Sequence, residues 1–90
     1  MKRAAVYPLL ADELSRWREL PADDLSRLAG KPATVRTVLL SGEPVSIEVT
    51  LSWANPTRSS LCIEAVANGP SSWRLDRLSE SVIVPFKRVL

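Results

Sequence analysis

The sequence predicts an α+β domain in which two N-terminal helices pack on one face of an antiparallel sheet of four to five strands. Apolar residues recur with the helical period of about 3.6 up to residue 30, and then with the strand period of two. Helices followed by strands favour a meander covered on one side, with a partly rolled barrel as the alternative. The 90 residues show no linker-like composition, so residues 1–90 are predicted to form a single domain.

The first helix is predicted from Pro8 to Leu20. Proline suits the first position of a helix because its φ is fixed and its missing N–H is not needed there. Leu10, Leu14 and Trp17 recur at the spacing of one helix face, so we expect Trp17 to belong to the core.

A second, short helix is predicted to open at Pro21. Asp23 and Asp24 fall in its first turn, where the helix dipole favours negative charge. Gly30 supplies a left-handed cap and Pro32 prevents continuation, so these two residues are predicted to end the helix.

From Ala33 two β-branched runs, "TVRTVLL" and "VSIEVTLSW", predict a hairpin with one buried face. We expect a four-residue connection between Leu40 and Val45, because a two-residue turn at Gly42 and Glu43 would require a hydrogen bond from Pro44. Either connection gives the same register, which places Val38 and Leu40 beside the buried Val45, Ile47 and Val49. The buried side is predicted to hold Val45, Ile47, Val49, Leu51 and Trp53.

The rest of the chain predicts further strands. The segment "LCIEAVA" forms the third strand, between the loops "ANPTRSS" and "NGPSS". A short strand at Trp73–Leu75, a turn through Arg77–Glu80 and a last strand at Ser81–Val84 complete the predicted sheet.

Composition excludes several classes of protein. Twelve Lys and Arg against ten Asp and Glu give a net charge of +2, without a basic run longer than two, which argues weakly for nucleic acid. The chain has one cysteine and no histidine, so it lacks the residues of a disulfide scaffold or a zinc site. We expect a cytoplasmic location, and neither a signal peptide nor a membrane span.

The stretch "TRSSLCIE" collects residue types found in active sites, but it also fits the start of a strand. Without histidine, Cys62, Ser59 and Ser60 lack the base that a nucleophile needs. Glu48 and Glu64 should share the less buried sheet face, where a solvated pair is commoner than a catalytic one. The sequence therefore predicts no enzyme, no cofactor and no metal site.

The order of a helix, then "VRTVLLSGEPVSIEV", then short strands ending in "LSESVIVP" resembles the Sm-like fold over residues 22–85. That resemblance implies a bent five-stranded sheet and a ring-shaped oligomer that binds RNA. The family has a glycine in its second strand, whereas "VSIEVTLSW" has none, and none of the family's RNA-contacting residues can be placed on this chain.

The function predicted is that of a small interaction module that binds a protein partner or itself, with a homo-oligomer expected. The candidate interface residues are Val35, Leu39, Val66, Trp53, Trp73, Arg58 and Arg74. One alternative is nucleic-acid binding through Arg36, Arg58, Arg74 and Arg77 or through an Sm-like ring. Another is a small-ligand carrier with a pocket between the first helix and the sheet, using Glu48, Glu64 or Trp17.

Overall fold

Two helices cover one face of a four-stranded antiparallel meander in the computed structural model, which describes residues 3–40, 42–69 and 78–86. The predicted α+β class is confirmed. The strands lie in the order β1-β2-β3-β4, and this sheet is not closed, so the barrel alternative is wrong. The elements are α1 (Arg3–Arg18), α2 (Ala22–Leu28), β1 (Thr34–Leu40), β2 (Glu43–Trp53), β3 (Ser60–Asn68) and β4 (Leu78–Pro85).

Helix α1 begins before Pro8, so the predicted start at that residue is wrong. Val6 lies one turn before Leu10, and both side chains are fully buried. The apolar stripe thus continues upstream of the proline, and its burial offsets the hydrogen bond that proline cannot donate. Leu14 and Trp17 extend the same stripe against the core, as predicted.

Helix α2 follows Pro21, whose carbonyl accepts the N–H groups of Asp24 and Leu25. Leu25 is the buried residue of this helix. Gly30 has a φ of +80°, the left-handed conformation predicted for the end of the helix. Its N–H then donates to the carbonyl of Leu51 at 2.9 Å, which attaches the end of α2 to strand β2.

The hairpin register differs from the prediction by two residues. Leu40 pairs with Glu43, so only two residues connect β1 to β2, and Gly42 takes a φ of +79°. Pro44 lies opposite Leu39 rather than in the loop. This position is not a hydrogen-bonded one, so the missing N–H of Pro44 costs no bond to β1. An even shift keeps every side chain on its predicted face.

One face of the sheet forms the core with the two helices. The alternation predicted for β2 is confirmed, and Leu61, Ile63 and Ala65 continue it on β3. Strand β4 begins at Leu78, which is buried, so the predicted turn through Glu80 is wrong. The strand predicted at Trp73–Leu75 lies outside the described residues.

Candidate functional site: the edge of strand β1

Strand β1 is an edge of the sheet and is exposed along most of its length. Five of its seven residues are exposed, whereas β2 buries every second residue from Val45 to Leu51 and β3 buries five of its nine residues. Val35 and Leu39 remain 58% and 74% exposed on the face away from the helices. A long, exposed edge strand with aliphatic side chains is a template for pairing with another chain. Both residues belong to the predicted interface.

The direction of the β1 backbone groups follows from the registers. Ala54 donates to the carbonyl of Ser60 at 2.9 Å, so even-numbered residues of β2 bond to β3. Odd-numbered residues of β2 therefore bond to their even-numbered partners on β1. The N–H and C=O groups of Val35, Thr37 and Leu39 consequently point to the open edge. No strand within the described ranges pairs with them.

Strand β4, the opposite edge, carries features that discourage pairing. Glu80 lies opposite Ala65 and so is on the same sheet face as the core, yet it is exposed. An inward-facing charge and a proline at a sheet edge both disfavour the addition of a strand. Pro85 removes one N–H from this edge, because Phe86 donates to Ser59 and odd-numbered residues of β4 therefore face outward. Strand β1 has no proline, and its one inward-facing charge, Arg36, is paired with Glu13 of α1.

A buried carboxylate lies beside β1 on the helix-covered face. Glu13 of α1 is 6% exposed, and its Oε2 accepts hydrogen bonds from Arg16 at 2.6 Å and from Arg36 of β1 at 2.7 Å. Its Oε1 accepts the indole N–H of Trp17 at 3.2 Å. Both oxygens have partners, so this ionic cluster costs little in unmet hydrogen bonds and attaches α1 to the edge strand. These residues and Leu20 line a shallow cavity of about 230 Å³.

Sequence reasoning missed Glu13. The signal was its place in the stripe of α1, three residues after Leu10 and four before Trp17, where a lone glutamate requires buried donors. Arg36 was named, but as a nucleic-acid contact. Its position opposite Ile47 on the inner face directs it towards α1 instead.

Trp53 and Arg58 come together at the other end of the sheet. The guanidinium of Arg58 lies 5.8 Å from the centroid of the Trp53 ring, and Phe86 meets the same ring edge-on at 5.3 Å. Trp53 is half-buried against the core. With the end of α2 these side chains line a cavity of about 440 Å³. Trp53 faces the helix side, so it shares no surface with Val35 and Leu39.

The remaining candidates are dispersed. Val66 lies on the outer face but is only 6% exposed, so it contributes little accessible surface. Ile83, on β4 and opposite Cys62, is 54% exposed on that face and was not predicted. Trp73 and Arg74 lie outside the described residues.

The predicted small-ligand pocket needs correction. Glu48 pairs with Val66 and Glu64 with Thr50, which places both carboxylates on the face away from the helices. They cannot line a cavity between α1 and the sheet. Only Trp17 of the three predicted residues lies there.

The arginines proposed for nucleic acid do not form one patch. Arg36 lies opposite Ile47, whereas Arg58 contacts Trp53, and six positions of strand separate these two points by about 20 Å. Arg77, like Arg74, lies outside the described ranges.

Among the residues that the structure describes, no three His, Cys, Asp or Glu side chains come close enough together to hold a metal ion. None of the described helices combines the length and the apolar character needed to cross a membrane. Comparisons with protein families, with curated proteins and with solved structures find no match.

Proposed function

We propose that this domain is a non-enzymatic interaction module that binds another polypeptide along the edge of β1. The exposed edge itself carries the proposal, because it joins three outward-facing backbone positions to the aliphatic side chains of Val35 and Leu39. Main-chain hydrogen bonds to an added strand would supply affinity, and the alternating side chains would supply selectivity.

The contrast between the two edges supports this choice. Glu80 and Pro85 protect β4, whereas β1 has no proline and its one charged residue, Arg36, also faces inward but is paired with Glu13. Because the two edges differ in this protection, β1 is the edge at which an added strand is favoured.

Oxidative footprinting tests the proposal. We expect labelling of Leu39 by hydroxyl radicals, measured relative to that of Ile83, to fall when the protein is moved from dilute buffer into cell extract. Ile83 is the matched control, since it is an exposed aliphatic residue on the same sheet face at the other edge. An equal ratio of Leu39 to Ile83 labelling in both conditions would contradict the proposal.

Nuclease treatment of the extract separates the nucleic-acid alternative from a protein partner. Protection of Leu39 that survives the nuclease supports a polypeptide at the edge. Protection that disappears would favour RNA or DNA instead, and that binding would weaken steeply with salt.

The cavity lined by Trp53, Arg58 and Phe86 favours a second candidate function, a small-ligand carrier. An indole face beside a guanidinium suits a planar ligand that carries negative charge. A thermal shift of the purified protein with a panel of aromatic carboxylates tests this candidate, with Arg58→Ala expected to abolish any shift.

A further inference from the structure

We propose that the strand added to β1 is β1 of a second copy of this chain, antiparallel and related by a two-fold axis at Thr37. This inference rests on the proposed function and names its partner. Three features of β1 support it: the register of its edge-facing backbone groups, the symmetry of its side chains, and the ion pair of Arg36 with Glu13.

The backbone register allows only a few symmetric pairings. An antiparallel pair centred on a hydrogen-bonded position must use Val35, Thr37 or Leu39, because these residues present backbone groups at the edge that no described strand pairs with. Centring on Thr37 overlaps all seven residues of the strand. Pairs at Thr37 with Thr37 of the second copy, and at Val35 with Leu39 in both directions, would exchange about six hydrogen bonds.

The side chains are self-complementary in this register. On the outer face each Leu39 lies beside a Val35 of the second copy, so the two most exposed aliphatic residues of the strand cover each other. Cross-strand aliphatic pairs stabilise a sheet. On the helix-covered face Val38 of one copy lies opposite Arg36 of the other, at the rim of the cavity lined by Trp17 and Leu20.

The charge of Arg36 would oppose this dimer if it were free. The two-fold axis brings the two Arg36 side chains diagonally across the junction, where like charges repel. Each guanidinium already bonds to Glu13 of its own chain at 2.7 Å, which offsets part of its charge and directs it towards α1. The Glu13 cluster therefore lowers the electrostatic cost of pairing with a second copy.

Pairing of β1 with β1 closes the assembly as a dimer. A junction of β1 with β4 would be head-to-tail and would continue into a fibre. Glu80 and Pro85 disfavour that junction. Seven paired residues make a small interface, so we expect an equilibrium between monomer and dimer in the micromolar range.

Cysteine cross-linking tests the register. In a Cys62→Ser background, Val35→Cys and Leu39→Cys are made as separate proteins carrying different tags and then oxidised gently together. Residues facing each other across a hydrogen-bonded pair have Cα atoms about 5.5 Å apart, within the range of a disulfide. We expect the mixed disulfide to form at least about tenfold faster than either self-disulfide, which would have to span four strand positions.

Two controls complete the experiment. Thr37→Cys should cross-link to itself, whereas Thr50→Cys, exposed on the same face of β2, should not. Circular dichroism verifies that each variant folds. If a cysteine variant fails to fold, hydrogen exchange of the wild-type chain replaces it, with protection of the Val35, Thr37 and Leu39 amides rising with protein concentration.

Each outcome decides between the two proposals. A purified chain that remains monomeric in light scattering up to high micromolar concentration overturns the dimer. A mixed disulfide that forms no faster than the self-disulfides also overturns it, and so does a ring larger than a dimer. Protection of Leu39 in cell extract would then still support a module that binds a different protein. If neither the dimer nor the protection of Leu39 in cell extract is observed, the proposed function is wrong as well.

Discussion

Arg36 and Glu13 are 23 positions apart in the sequence, and Nη2 of Arg36 donates to Oε2 of Glu13 at 2.7 Å. This ion pair joins the edge strand to the helix that covers the core. Because the carboxylate is buried and serves two guanidinium groups, its removal leaves two cations without their counter-charge.

We therefore predict that Glu13→Gln lowers the free energy of unfolding by about 1–3 kcal/mol. Arg36→Met should cost less, since Arg16 and Trp17 still bond the carboxylate. Glu19→Gln, on an exposed position of the same segment, is the control and should have little effect. Urea denaturation measures all three. A larger loss for Arg36→Met than for Glu13→Gln would contradict this account.

Hydrogen exchange should alternate along β1 in dilute solution. The amides of Arg36 and Val38 bond to β2 and should exchange slowly, whereas that of Thr37 faces the open edge and should exchange fast. NMR detection of exchange resolves each residue. Uniform protection along the strand at the lowest measurable protein concentration would contradict the hydrogen-bonding pattern described for β1.

Two isoleucines on opposite faces of neighbouring strands give a matched test of the core. Ile63 on β3 is fully buried, and Ile63→Ala should destabilise the fold by about 2–5 kcal/mol. Ile83 on β4 is 54% exposed, and Ile83→Ala should cost under about 1 kcal/mol. Thermal and urea unfolding of both variants provide the comparison. Equal losses of unfolding free energy would contradict a core on the helix-covered face of the sheet.

Arg58 has a φ of 56°, the left-handed conformation that a side chain with a Cβ disfavours. The loop holds it there through Asn55, whose Oδ1 accepts the N–H of Ser59 at 3.0 Å. Replacing Arg58 by Gly or by Ala removes the same contact with Trp53, so the two variants differ mainly in backbone strain. We predict that Arg58→Gly is more stable than Arg58→Ala by about 1 kcal/mol, measured by urea denaturation.

Periodicity predicted the parts of the fold that depend on which side of an element is buried. The alternation from Val45 to Trp53 identified the core face of β2, and Gly30 identified the end of α2. The hairpin register was harder to predict. Pro44 argues against a two-residue turn at residues 42–43, but not against a two-residue turn at residues 41–42, which is the one found. The start of α1 was predicted too late because Pro8 suits the first position of a helix, whereas the helix begins earlier and buries Val6.

The candidate site was predicted only in part. Exposed aliphatic residues on one strand face, Val35 and Leu39, follow from the alternation pattern. The role of β1 as an edge depends on strand order, and the ion pair between Glu13 and Arg36 depends on how α1 crosses the sheet. Both are long-range relationships that local patterns do not contain.

The hydrogen bond from Gly30 to Leu51 limits the length of the open edge. It occupies the place beside β2 where β1 would otherwise extend upstream of Thr34, and the hairpin turn ends the strand after Leu40. The accessible edge is thus bounded at both ends and is about 23 Å long. If a strand adds to β1 as we propose, the domain selects it by its length as well as by its sequence, and a segment much longer than seven residues gains no further pairing.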